Sequence, residues 1–171
     1  MFQIMPAQAA DLPEIELLLD DGFGPARRNR TAYRLRDGAT PDPRLSLVAR
    51  DGKALVGSIQ CWPIRLCSSD GMVTPMVLVG PVVTAAAQRG QGIATALIET
   101  ALSTLDAVSP LPALLVGDAP FYGRFGFDAA ATAGWIMPGP VEAARLLLRW
   151  SGPPLPPTGR VEGKDGLRRA A

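Results

Sequence analysis

The sequence predicts a mixed α/β domain built around one sheet. Three observations carry that expectation. Apolar runs of strand length alternate with longer stretches whose apolar residues recur every three to four positions. Glycine- and proline-rich breaks separate them. The chain has 171 residues, 47% of them hydrophobic, which suits one domain with a packed core. Residues 1–150 are expected to form that domain, and residues 151–171 a Pro- and Gly-rich tail or surface strap.

"FQIM" (2–5) reads as a first strand. "DLPEIELLLDD" (11–21) reads as a helix, with Leu12, Ile15, Leu18 and Leu19 on one face. Asp11 is its expected N-cap and Glu14 the capping-box partner; Gly22 and Gly24 are its expected stop. "ARRNRTAYRLRDG" (26–38) is basic and is read as a second helix with Tyr33 and Leu35 inward. "RLSLVARDGKALVGSIQCWPI" (44–64) reads as a hairpin around Asp51-Gly52, a pair that favours type I′ geometry. "MVTPMVLVGPVVT" (72–84) is strand-like, with a bend or bulge expected at Gly80-Pro81. The helix from about Gly92 to Val108 repeats Ile93, Leu97, Ala101 and Leu105 at spacing four. "PALLVG" (112–117) is a short buried strand, and "DAPFYGRFGF" (118–127) an aromatic turn. "TAGWIMPG" (132–139) is read as a strand and "PVEAARLLLRW" (140–150) as a helix with Pro140 near its start.

Composition narrows the chemistry. Seventeen basic residues balance sixteen acidic ones, for a net charge of +1, so no footprint for nucleic acid or an anionic membrane is present. Histidine is absent. That removes the commonest general base, His-containing metal sites and every Ser-His or Cys-His pair. Cys61 and Cys67 lack CxxC spacing and suit reduced thiols; no metal is expected. The N-terminus shows no basic n-region before an apolar core, and no apolar run reaches membrane length. A cytoplasmic protein is the expectation.

The informative stretch is "VVTAAAQRGQGIATALIETAL" (82–102). A strand meets Arg89, Gly90, Gln91 and Gly92, then a long helix. A helix start presents unpaired N–H groups and the positive end of the dipole. Glycines allow positive φ and close approach, and Arg89 adds charge. This suits a phosphate or pyrophosphate, or else a tight structural turn. The P-loop Gly-Lys-Ser/Thr is missing, and the dinucleotide pattern fails at Thr95 and in its distant acid.

"RGQGIA" fits the R/Q-x-x-G-x-G/A motif of the GNAT superfamily of N-acetyltransferases, with Arg89, Gly92 and Ala94 at the fixed positions. "LVGPVVT" (78–84) resembles the strand that precedes that loop. "APFYGRFGF" (119–127) resembles the family's Tyr…Gly-Phe segment, with Tyr122 and Gly126-Phe127 in place. The likeness covers residues 2–137. "FGPARRNRTAYRLRDG" and "LLVGDAPFYGRFGF" are similar to a bacterial subgroup of predicted N-acetyltransferases.

The resemblance implies a mostly antiparallel central sheet with splayed middle strands, flanked by helices. It implies acetyl-CoA as co-substrate. The pyrophosphate would meet backbone amides of Arg89, Gly90, Gln91, Gly92, Ile93 and Ala94, beside Thr95, and the pantetheine arm would run along Val82, Val83 and Thr84. Tyr122 would be the acid that reprotonates the CoA thiolate. The sequence departs from the pattern in its short "GDAPFY" interval and in lacking an acidic residue in the strand 72–84; Asp118, Asp20 and Asp21 are the candidate bases. The acceptor is a small-molecule or protein amine, with residues 23–38 as its expected wall. A homodimer is compatible with Trp135, Trp150 and "ARLLLRW", which equally suit the core. A CoA-binding module without catalysis is the alternative to an enzyme.

Overall fold

The computed structural model describes residues 1–164. Its strands are β1 (Gln3–Pro6), β2 (Leu47–Asp51), β3 (Ala54–Cys67), β4 (Val73–Thr84), β5 (Ala113–Val116), β6 (Gly134–Ile136), β7 (Leu146–Arg149) and β8 (Thr158–Gly163); its helices are α1 (Leu12–Phe23), α2 (Thr31–Arg36), α3 (Ile93–Val108) and α4 (Ala119–Tyr122). The eight strands form one sheet, ordered β1-β2-β3-β4-β5-β7, with β8 paired to both β3 and β6. The β4–β5 and β6–β8 pairs are parallel. The β1–β2, β2–β3, β3–β8 and β5–β7 pairs are antiparallel.

The chain divides into two compact units, and β3 and β4 each run from one into the other. The first comprises Met1–Asn29, Pro41–Cys61 and Val79–Pro110. Here Ile15 and Leu19 of α1 pack on Val48 and Val83. α3 buries Ile93, Leu97, Ile98, Ala101, Leu102 and Leu105, the apolar face that its spacing predicts. The second unit comprises Arg30–Thr40, Trp62–Leu78 and the described chain from Leu111. Leu35 of α2 packs there with Ile64, Leu66, Leu114, Trp135 and Val161. α2 is pinned by two side chains: Thr31 Oγ1 donates to the Pro140 carbonyl (2.8 Å) and Arg34 Nη1 to that of Pro138 (2.6 Å).

Several expectations are corrected. "PVEAARLLLRW" is not a helix. Ala143–Arg145 makes one 3-10 turn, and Leu146–Arg149 is a strand paired to β5. Three consecutive buried leucines fit a strand covered on both faces and give no helical stripe. Part of the expected tail is also a strand: β8 pairs with Ile64–Cys67 of β3, while residues 165–171 lie outside the described residues. Asp11 does precede α1, but its side chain makes no cap hydrogen bond there. A 3-10 turn runs straight into the helix, and the carboxylate instead accepts the Gln8 N–H (2.7 Å) and Arg50 Nη2 (2.7 Å). Glu14 also accepts from Arg50 rather than closing a capping box. Gly22 lies within α1, and Gly24 at φ 78° ends it. The hairpin turn is Gly52-Lys53 with Gly52 at φ 60° and no positive φ at Lys53, which excludes type I′.

Trp135 and Leu146–Leu148 are buried. The Trp135 and Trp150 indoles donate to the Pro156 and Pro153 carbonyls. These groups serve the core and its loops.

Among the described residues, Asp11, Asp20, Asp42, Asp70 and Glu162 lie below the usual carboxylate range. For Asp11 the Gln8 N–H is the first cause and Arg50 the second; for Asp20 it is the hydrogen bond from Arg27, and for Asp42 that from Arg44. A group with a depressed folded pKa stabilises the fold above its unfolded value, near pH 4, and loses that contribution as pH falls through the folded value. Denaturation midpoints are therefore expected to decline below about pH 4, and Asp11→Asn should shrink that decline. Midpoints that rise on acidification would contradict these pairings.

Candidate functional residues: an anion seat and a phenol

In the first unit, β4 ends at Thr84 and a 3-10 turn spans Ala86–Gln88. Arg89 is extended (φ −62°, ψ 147°), Gly90 has φ 81° and Gly92 φ 78°. Gly92 is the N-cap of α3 and makes no side-chain cap hydrogen bond. Arg89, Gly90, Gln91 and Gly92 are exposed, Ala94 and Thr95 half-buried, and Ile93 buried. A Cβ on Gly90 or Gly92 would meet nothing within 4 Å. These glycines therefore serve backbone conformation and not space. The result is an exposed start to a sixteen-residue helix, with free N–H groups, the dipole's positive end and one arginine beside them: a seat for an anion.

Gly57 of β3 seats that helix, and the sequence reading missed it. A Cβ there would stand 2.6 Å from Ile93 Cγ2 and 3.1 Å from Leu97 Cδ1. An isolated glycine inside a strand was the available signal for such close approach.

The strand before the loop has two characters. Val83 turns into the core beside Ile15 and Leu19, and Gly22 admits it, since a Cβ there would be 2.7 Å from Val83 Cγ2. Only its main chain is left to serve a ligand. Val82 and Thr84 are half-buried. Thr84 Oγ1 is buried and has no hydrogen-bond partner among the described residues. A buried hydroxyl without a partner is costly, and a polar ligand would relieve it. At the expected irregular point, Gly80 has φ 116° and the Gly80-Pro81 bond is cis.

In the second unit, α4 is a single turn. The Asp118 carbonyl accepts the N–H groups of Phe121 and Tyr122 (3.1 and 3.0 Å). Tyr122 is half-buried among aromatic rings, with centroids at 4.9 Å to Phe121 and 6.2 Å to Phe127, both edge-on. The Gly-Phe pair now has a physical reason. Gly126 turns at φ 88° and delivers Phe127, 2% exposed, against Tyr122. Burial pushes the phenol above its ordinary value; the Asp118 charge pushes the same way and Arg145 opposes. The hydroxyl is therefore protonated at neutral pH.

The other expected participants are placed differently. Asp20 is held by Arg27 (2.8 Å) and Arg28 (3.2 Å), and with a depressed pKa it is a poor proton acceptor. Asp118 is largely exposed and lies 3.4 Å from Arg145 Nε. Asp21 is exposed. Arg27 and Arg28 both engage Glu16 as well. The Arg36 guanidinium stacks over Tyr33 (3.5 Å) and Trp62 (4.7 Å), and Arg124 over Phe121 (4.4 Å). Cys61 is buried, and burial pushes its thiol up to about 12; burial also raises Cys67. Neither is a nucleophile at neutral pH. No helix of the described residues is long and apolar enough to cross a membrane.

The acetyltransferase (GNAT) domain family matches residues 3–130. The chain belongs to the GNAT acetyltransferase family. The GNAT resemblance read from the sequence is thereby confirmed, as is the mixed fold with its mostly antiparallel sheet and flanking helices. An uncharacterized N-acetyltransferase of Escherichia coli K12, YhbS, is 29% identical over 122 residues, which is 71% of this chain and 70% of that protein. An uncharacterized N-acetyltransferase of Streptomyces avermitilis is 29% identical over 126 residues, 72% of this chain; the match spans only 29% of that longer relative. Among solved structures, E. coli YhbS in complex with CoA aligns at TM-score 0.76 with 25% identity, over 99% of this chain and 93% of that one. A GNAT family acetyltransferase from Brucella melitensis in complex with acetyl-CoA aligns at TM-score 0.70 with 26% identity, over 95% of each chain. This GNAT chain thus has relatives that hold CoA or acetyl-CoA.

Proposed function

We propose that this GNAT protein is an acetyl-CoA-dependent N-acetyltransferase that transfers the acetyl group directly to a primary amine. The observation that carries the proposal is the uncapped start of α3, opened by Gly90 and Gly92 at positive φ beside Arg89. Its residues fit a pyrophosphate, and relatives similar over nearly the whole chain are structures with CoA or acetyl-CoA. In this reading, backbone amides from Arg89 to Ala94, with Thr95, take the pyrophosphate. The main chain of Val82, Val83 and Thr84 takes the pantetheine arm, and the Thr84 hydroxyl gains a partner.

The reaction then balances simply. The amine nitrogen attacks the thioester carbonyl carbon, an N–C bond forms, and the carbonyl oxygen carries the negative charge. Collapse breaks the C–S bond. The sulfur takes a proton from the Tyr122 hydroxyl, the amine's surplus proton goes to water, and solvent reprotonates the phenolate. Products are the N-acetyl amine and CoA. The phenol's raised pKa keeps the donor loaded across the neutral range. The acceptor is a small molecule or a protein amine, and the acetyl-CoA requirement fits a cytoplasmic enzyme.

The test is release of CoA thiol from acetyl-CoA across a panel of small amines, amino-acid derivatives and peptide N-termini. Amine-dependent release with matching N-acetyl product is the expected result. Saturable acetyl-CoA binding with no turnover on any amine would favour a CoA-binding module, a reading supported by the absence of an acidic residue along β4.

A further inference from the structure

This inference rests on the acid role proposed for Tyr122. The Tyr122 ring lies directly on the backbone of Gly117, the residue that follows β5. A Cβ on Gly117 would overlap Tyr122 Cε2, stand 2.8 Å from its Cδ2 and 3.1 Å from Leu115 Cδ1. Carbon atoms in good contact sit about 3.5–4.0 Å apart, so an alanine and this ring position exclude each other. Gly117 is not among the glycines with positive φ. Its backbone would accept any residue, and the ring is the main obstacle, since Leu115 Cδ1, the other close atom, is the end of a flexible side chain.

Both partners are fixed. The Gly117 N–H donates to the Arg145 carbonyl (2.9 Å), and the Tyr122 N–H to the Asp118 carbonyl (3.0 Å). Phe121 and Phe127 meet the ring edge-on. A ring pushed off Gly117 therefore has to move against two other aromatics, and its hydroxyl moves with it. We propose that Gly117 is the positioning residue for Tyr122: its missing side chain sets where the phenol hydroxyl stands, and hence whether the proton reaches the departing sulfur. Gly117 touches no reacting atom in this account.

The test is a double-mutant cycle between Gly117→Ala and Tyr122→Phe, read as kcat and as acetyl-CoA affinity. Gly117→Ala is expected to lower kcat by about tenfold or more, since ångström-scale misplacement has costs of that order, while affinity stays within about twofold. In the Tyr122→Phe background the same change should cost almost nothing further. The second readout is the phenol titration, followed by NMR of ring-labelled tyrosine in a Tyr33→Phe protein, where Tyr122 is the one remaining tyrosine of two. Gly117→Ala should shift that titration down toward the free-phenol value of about 10, because a displaced ring is less buried. Equal cost in both backgrounds, or an unmoved titration, overturns the assignment. If Tyr122→Phe alone leaves turnover unchanged, the acid role falls first and the positioning role falls with it. If Gly117→Ala does not fold, Gly117→Ala with Tyr122→Ala should match the melting temperature of Tyr122→Ala alone; a failure to recover also overturns the proposal.

Discussion

Tyr122→Phe is expected to lower kcat by about 10²-fold or more, the usual scale for a lost general acid, with acetyl-CoA affinity changed by less than about twofold. The substitution isolates the proton. A phenyl ring keeps the edge contacts to Phe121 and Phe127 and the seat on Gly117. The hydroxyl makes no hydrogen bond among the described residues, so folding loses no partner and the melting temperature should hold. Steady-state kinetics beside a direct binding measurement separates the outcomes. Unchanged turnover means that the thiolate leaves without this phenol. A parallel loss of affinity means that Tyr122 holds acetyl-CoA instead of protonating its product.

Gly92→Val is expected to weaken acetyl-CoA binding by at least about tenfold, because a β-branched residue at positive φ costs about 1–3 kcal/mol and 1.4 kcal/mol is tenfold. The cost here is conformational. A Cβ at Gly92 meets nothing within 4 Å, so no clash is created; the backbone at φ 78°, ψ 8° is what valine resists. Relaxing it turns the first N–H groups of α3 away from a common point. Gly92→Asn makes the sharper control, since asparagine tolerates the left-handed region, and it should keep most of the binding. Equal loss in both variants would mean that bulk at the loop, and not its conformation, matters.

Much of this fold was legible because α1 and α3 are long and one-sided. Ile93, Leu97, Ala101 and Leu105 repeat at four, and all are buried. Ile15 and Leu19 likewise mark the inner face of α1. Sequence reasoning failed where packing replaced periodicity. Leu146–Leu148 carry no period because all three are buried, so length and apolarity could not distinguish strand from helix. The misread tail is more instructive. Its glycines look like flexibility, yet a Cβ on Gly159 would stand 2.9 Å from the Cys67 carbonyl oxygen, and one on Gly163 2.8 Å from that of Leu35. They are small because β8 passes close to other main chain. Composition cannot tell a glycine that must bend from one that must make room.

The candidate site divides in the same way. The Arg-Gly-Gln-Gly run pointed to the proposed anion seat because its geometry is local: positive φ followed by a helix start. Tyr122 was legible from its neighbours Gly126 and Phe127. Gly117 and Gly57 were not singled out, since the sequence does not show which side chain folds onto them. The charged residues were the hardest to read. Asp20 was one of three candidate bases and residues 23–38 the expected acceptor wall; in the fold, Arg27, Arg28, Arg34 and Arg36 are engaged by carboxylates, a carbonyl and aromatic rings. Sequence shows charge and not its partner.

The central claim is that the start of α3 holds the pyrophosphate of acetyl-CoA. Calorimetric titration of the purified protein with acetyl-CoA tests it most directly, with NADH and ATP as controls. Saturable binding of acetyl-CoA, weak or absent binding of the controls, and loss of the signal in Gly92→Val are the predicted results. A folded protein that binds neither acetyl-CoA nor CoA would contradict the account, and the glycine loop would then be a structural turn and nothing more.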